Sequence, residues 1–194
     1  MEEFEAIFTD INLDGIRNKL KTLGARKIFE KTYRRLNFEY PDWRLDKDHS
    51  WIRLRDEGDK ITLAFKKRLG PGEGDNGNDL GMREIEFEVS DYNKTRDFFL
   101  AIGLVHKLEV ENRRERWLFK DIQFDIDTYP LIPTYLEIES SSWAKVKEGS
   151  ELLDLDYNQK RICSATQIAK DYGIITQDYS IFTFDRQIKH QTRI

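Results

Sequence analysis

Carboxylates recur in pairs two residues apart, inside segments that otherwise read as β-strands. They are Glu3 and Glu5, Glu84 and Glu86 (extended by Glu88), Asp125 and Asp127, and Glu137 and Glu139. Arginines follow the same spacing at Arg53 and Arg55 and at Arg114 and Arg116. Residues i and i+2 of a strand point to one face of the sheet. Each pair therefore projects both charges the same way, while Ile85, Phe87, Phe124, Ile126, Leu136 and Ile138 point the other way. Such a chain must build a sheet with one charged face and one apolar face. Gathered carboxylates suit hard divalent cations, and arginines beside them suit phosphate. The pattern points to a metal–polyphosphate site.

The chain has 194 residues, enough for one domain with a sizeable core. Its charged residues are spread along its length, which argues against disorder. The net charge of −4 gives no basic field for nucleic acid. One cysteine, Cys163, cannot form an internal disulfide. No apolar stretch reads as a signal peptide or a membrane span, so the expected compartment is the cytoplasm. The domain is expected to occupy 1–185, followed by a frayed polar tail over 186–194.

Alternation predicts strands over 2–9, 25–40, 82–90, 108–119, 121–127 and 134–140, and a hairpin joining 51–55 to 60–66. Helical spacing predicts helices over 12–23 and 91–102, each closed by a glycine (Gly24, Gly103). Ser142 can cap a helix running toward Leu153, and Ser164 with Gln167 forms a capping-box pattern before Ile168. The glycine-rich stretch 70–78 is a flexible loop, since it lacks the Gly-Lys-Ser/Thr ending of a phosphate-binding P-loop. A weak repeat sets Glu3/Glu5, Leu23-Gly24 and Arg53/Arg55 beside Glu84/Glu86, Ile102-Gly103 and Arg114/Arg116. Two such halves make a mainly antiparallel sheet. Periodicity leaves two forms open: a closed barrel with its polar face inside, or an open sheet with that face in water.

Each charged pair also has a plain structural explanation. Exposed strands carry charge to discourage edge pairing, and surface ion pairs contribute little. Four acidic pairs on strands with apolar reverse faces are harder to explain so, because crowded like charges need cations nearby. The basic set is Arg53, Arg55, Lys66, Arg114 and Arg116, with Lys67 and Arg68 beside it. His49, His106 and His190 form no ligand pattern, and Trp43, Trp51, Trp117 and Trp143 read as core or rim packing.

Taken together, these motifs resemble the CYTH family, the triphosphate tunnel metalloenzymes, which includes class IV adenylyl cyclases and thiamine-triphosphatases. Glu3-Phe-Glu5-Ala-Ile7 resembles the family's N-terminal Glu-x-Glu-x-Lys strand. Arg53-Leu-Arg55 with Lys66, Arg83-Glu-Ile-Glu86, Phe124-Asp-Ile-Asp127 and Tyr135-Leu-Glu-Ile-Glu139 resemble its later strands, in order. The resemblance implies an α+β fold, an eight-stranded, mainly antiparallel closed barrel with helices outside. It also implies Mg²⁺ or Mn²⁺ and a small-molecule triphosphate or nucleotide as partner, with no nucleic acid or membrane, and leaves a homodimer open. Glu3, Glu5, Glu137 and Glu139 become the main metal candidates, with Glu84, Glu86 and Asp125 behind them. Arg53, Arg55, Lys66, Arg114 and Arg116 become the phosphate-binding set. Glu3, Glu5, Arg53, Arg55, Lys66 and Arg114 are the catalytic candidates. Two positions depart from the pattern: Ile7 and Asn112 stand where relatives carry lysine. The implied activity is triphosphate hydrolysis or cyclisation of ATP, with a non-catalytic nucleotide or polyphosphate binder as the alternative.

Overall fold

The computed structural model describes residues 4–68 and 82–190. Glu3 and the glycine-rich stretch 70–78 lie outside them. The elements run β1 (Phe4–Phe8), α1 (Leu13–Thr22), β2 (Arg26–Glu39), α2 (Arg44–Lys47), β3 (Ser50–Asp56), β4 (Ile61–Arg68), β5 (Met82–Glu88) and α3 (Tyr92–Ala101). There follow β6 (Val105–Phe119), β7 (Ile122–Tyr129), β8 (Ile132–Ser140), α4 (Trp143–Leu152), α5 (Ala165–Asp171), β9 (Tyr179–Phe182) and β10 (Gln187–Lys189). The fold is α+β with a mainly antiparallel sheet; the pairing of β9 with β6 is parallel.

The helices begin where short polar side chains can accept from freed backbone N–H groups. Asn12 accepts from Gly15, Asp91 from Lys94 and Ser142 from Lys145, while Ser164 and Gln167 form the full capping box. Gln187–Lys189, read from sequence as part of a frayed tail, pairs with β9 as a strand. Ser180 and Thr183 help to hold that hairpin, accepting or donating to the backbone of residues 186–188.

Two compact units divide the chain: Met1–Lys31 with Asn112–Ile174, and Thr32–Glu111 with Ile175–Ile194. In the first, β1, β8, β7 and the end of β6 form an antiparallel ladder. Ala6, Phe8, Phe124, Ile126, Leu136 and Ile138 turn one face of it toward Ile16 and Leu20 of α1 and Val146 of α4. In the second, β2, β3, β4 and β5 pair in sequence order. Leu36, Phe38 and Leu54 cover one face with Tyr92 and Phe99 of α3. In both units the apolar face carries helices and the charged face is the other one.

The ladder order is β1-β8-β7-β6-β2-β3-β4-β5, and among the described residues no ladder joins β1 to β5. Among the described residues the sheet is therefore not closed by hydrogen bonds. The free edge of β1 is occupied at Ile7, whose N–H donates to the Arg161 carbonyl and whose carbonyl accepts from the Arg161 N–H. The expected repeat is also inexact. Arg114 and Arg116 lie on β6, the first strand after α3, whereas Arg53 and Arg55 lie on β3, the second strand after α1.

Candidate functional site

In the first unit, register builds an acidic face. Glu5 pairs with Glu139 and Ile7 with Glu137 across β1 and β8. Gln123 pairs with Glu139 and Asp125 with Glu137 across β7 and β8. Arg114 pairs with Asp127 and Arg116 with Asp125 across β6 and β7. Paired residues of an antiparallel ladder share a face, so these side chains converge. Glu5, Glu137 and Glu139 each bring a carboxylate oxygen within 4.8 Å of the other two.

The neighbours of these groups differ sharply. Asp125 and Asp127 are fully buried and saturated with donors. Arg114 donates from Nε to Asp127 (2.9 Å) and from Nη1 to Asp125 (2.8 Å), and its Nη2 also reaches Asp127. Arg116 donates to Asp125 at 2.8 and 2.6 Å. Gln123 bridges Asp125 (3.3 Å) and Glu139 (2.6 Å). Arg114 approaches Glu137 less closely, at 3.2 Å. Burial pushes the Glu137 carboxyl up to about 8 against the pull of Arg114, with Glu5, Asp127 and Asp125 adding to the rise. Partial desolvation and then Glu139 hold the Glu5 carboxyl above the usual carboxylate range, although Glu5 remains open to solvent.

Ile7 and Asn112, the two positions where the resemblance leads one to expect lysine, lie on or beside this face. Ile7 is 2 % exposed and opposite Glu137. Asn112 is fully buried, its Nδ2 3.4 Å from Asp127, and its Oδ1 has no hydrogen-bond partner.

The second unit carries a basic face. Arg35 pairs with Arg55 and Asn37 with Arg53 across β2 and β3. Trp51 pairs with Lys66 and Arg55 with Thr62 across β3 and β4. Arg53 contacts Glu86 at 2.8 Å, Lys66 contacts Glu84 at 2.9 Å and Arg55 contacts Glu57 at 2.6 Å. Glu84 and Glu86 are thus placed as partners of the basic residues and stand outside the carboxylate trio of the first unit. Burial, and then Arg55 and Arg35, lower the Arg53 guanidinium below its usual value. Arg53 Nε, Arg55 Nε and Thr62 Oγ1 are buried without hydrogen-bond partners. The Tyr33 ring lies 5.7 Å from the guanidinium carbons of both Arg35 and Arg55.

Sequence reading did not single out Arg35, Glu57 or Gln123 as part of the site. The parity of Arg35 and Gln123 was readable once β2 and β7 were recognised, but partners across a ladder depend on register, which parity does not give; Glu57 lies just past the end of β3. One buried carboxylate is structural. Glu39 accepts from the backbone N–H groups of Tyr40, Leu45 and Asp46 and so seats α2.

Comparison with known proteins agrees with this fold. A "Putative adenylate cyclase" of Methanocaldococcus jannaschii is 26 % identical over 161 residues, 83 % of this chain and 86 % of that protein. A conserved hypothetical protein of Pyrococcus furiosus superposes with a TM-score of 0.63 at 20 % identity, covering 86 % of this chain and 99 % of its own. The "Putative adenylyl cyclase HpAC1" of Hippeastrum, described as having a dominant triphosphatase activity, superposes at 0.57 with 15 % identity, covering 91 % of this chain and 98 % of its own. At these identities the structures establish a shared fold. Residues 6–172 match the CYTH domain model, and the chain belongs to the CYTH family.

Proposed function

We propose that this protein binds a triphosphate compound and acts on it with a divalent cation, Mg²⁺ or Mn²⁺, hydrolysing it or, with ATP, cyclising it as class IV adenylyl cyclases do. The names of the Methanocaldococcus and Hippeastrum relatives support this class of substrate. The observation that carries the reading is the basic face of the second unit. Arg53 and Arg55 are crowded by like charge and keep buried Nε–H donors without acceptors. Planar guanidinium donors match phosphate oxygens in pairs, which lysine cannot do. Lys66 would add a point charge.

Glu5, Glu137 and Glu139 fit the cation by donor chemistry: three convergent carboxylates offer hard oxygen ligands and no softer ones. An ion held there supplies Lewis acidity toward phosphoryl oxygens. The chain's own contribution is positioning and charge. Gln123 orients Glu139 through its amide, and the arginines of the basic face neutralise charge developing on the phosphates. We place the protein in the cytoplasm, where a chain whose single cysteine can form no internal disulfide is ordinary.

The direct test is purified protein with Mn²⁺ or Mg²⁺ against tripolyphosphate, ATP and thiamine triphosphate. Pyrophosphate release from ATP identifies a cyclase, and orthophosphate release a phosphohydrolase. Arg53→Ala and Arg55→Ala should each weaken tripolyphosphate binding by roughly 1.5–3 kcal/mol, the range for hydrogen bonds to charged groups. Affinities equal to wild type by calorimetry would move the ligand elsewhere.

A second reading, a binder without turnover, is favoured by Ile7. It shares the face of Glu5 and Glu137 and offers a ligand neither charge nor hydrogen bond. Ile7→Lys should strengthen triphosphate binding or raise turnover and make binding more salt-sensitive, because the ammonium would sit among carboxylates. A folded Ile7→Lys protein with unaltered affinity, turnover and salt dependence would remove Ile7 from the argument.

A further inference from the structure

We propose that Thr62 is a further binding residue of the basic face, its hydroxyl donating to a phosphate oxygen held by Arg55. The inference rests on the phosphate reading above and adds to it an uncharged group that the basic set does not include.

Register places Thr62 in the middle of that face. One row across β2, β3, β4 and β5 reads Arg35, Arg55, Thr62, Glu88, and the next reads Asn37, Arg53, Ala64, Glu86. Residues directly opposite in an antiparallel ladder bring their Cβ atoms within about 5.5 Å, so Thr62 stands beside the stem of Arg55. In these rows β4 sets small side chains between the arginines of β3 and the glutamates of β5. Arg53 and Arg55 reach over them toward Glu86, at 2.8 and 3.7 Å. Beneath this roof Ala64 is 1 % exposed and Thr62 2 % exposed.

Burial suits the alanine and does not suit the threonine. Thr62 Oγ1 is buried without a hydrogen-bond partner, as are Arg53 Nε and Arg55 Nε. A buried hydroxyl left unbonded costs stability, and valine has the same shape without that cost. Donors of two kinds, N–H and O–H, thus gather on one patch without acceptors. A phosphoryl group carries several oxygens on one phosphorus and can accept from all of them. The Nη2 groups of the two arginines rest on Glu57 and Glu86. Flexible side chains make this roof, and an entering phosphate that takes the guanidiniums from those carboxylates opens the hydroxyl beneath. The hydroxyl carries no charge, so salt does not screen what it adds.

The test titrates metal-free tripolyphosphate into wild type, Thr62→Val and Thr62→Ser by calorimetry, at low and at high salt, and records the ligand-free Tm of each. Thr62→Val keeps the shape and removes the hydroxyl, whereas Thr62→Ser keeps the hydroxyl. Thr62→Val should bind about tenfold more weakly, as for one lost hydrogen bond to a charged group, and by the same factor at both salt concentrations. Its ligand-free Tm should equal or exceed that of wild type. Thr62→Ser should bind within about twofold of wild type. Equal affinities of wild type and Thr62→Val would overturn the proposal and leave the arginines standing as phosphate ligands. A loss in Thr62→Val that shrinks at high salt would trace to a displaced Arg55 and overturn it as well. So would a Thr62→Ser protein as weak as Thr62→Val. A Thr62→Val chain that melts below wild type or does not fold would overturn it too, since the hydroxyl would then be bonded within the fold. Wild type without affinity for tripolyphosphate would sink the phosphate reading and this inference with it.

Discussion

Glu137→Gln should abolish the main pH dependence of stability in the metal-free protein, and with Glu139→Gln it should abolish Mn²⁺ binding. Burial, with the nearby Glu5, Asp127 and Asp125, holds the Glu137 carboxyl at about 8, against an ordinary 4.5. The folded state therefore binds a proton on Glu137 that the unfolded state releases above about pH 4.5. Its contribution to stability is fully present below that value and is lost as pH rises toward about 8, a change on the order of a few kcal/mol. A glutamine cannot titrate, so urea unfolding of the variant should give a flatter stability profile across this window. Metal binding needs the carboxylate, so Mn²⁺ affinity in wild type should rise over the same window with release of a proton. Equal Mn²⁺ affinity in the double variant would refute these residues as ligands. A wild-type stability that climbs from pH 5 to pH 8, on the order of the window above, would refute the buried protonated Glu137.

The second large effect belongs to a carboxylate on the opposite face of β6. Glu115 is 3 % exposed and accepts from Arg17 Nη2 (2.6 Å), Arg17 Nε (3.0 Å) and Trp117 Nε1 (2.8 Å), with Lys27 at 3.4 Å. This cluster ties α1 and the start of β2 to β6. Glu115→Ala should cost roughly 2–4 kcal/mol, below the upper range for a broken buried pair because Arg17 can turn to water. Burial alone would raise the Glu115 carboxyl, but the Arg17 and Trp117 donors outweigh it and leave it below the usual range. The sign is thus opposite to that of Glu137. The Glu115 contribution is present above its unfolded value and is lost as pH falls through the folded one. Calorimetric unfolding of Glu115→Ala near neutral pH reads the loss. A Tm equal to wild type would show that the cluster is an ornament of the surface.

The two carboxylates also show why the candidate site was legible in part. Glu137 and Glu139, Arg53 and Arg55, and Arg114 and Arg116 announced their shared faces through a period of two, since pleat alternation is a local property of the strand. The caps at Asn12, Asp91, Ser142 and Ser164 were equally local, because each side chain satisfies backbone groups within three residues. The helix-covered apolar faces followed from the same alternation.

Partner choice was not local. The resemblance put Glu84, Glu86 and Asp125 among the metal candidates; register sets Glu84 opposite Lys66 and Asp125 opposite Arg116. Arg35 entered the basic face only because β2 aligns it with Arg55. The outer edge of β1 at Ile7 bonds to Arg161, more than a hundred residues away in the chain. The sequence by itself determined which side chains share a face, since that follows from strand geometry alone. Which arginine faces which carboxylate was decided only by tertiary register, where each charge lowers its energy by taking the nearest opposite partner across the sheet.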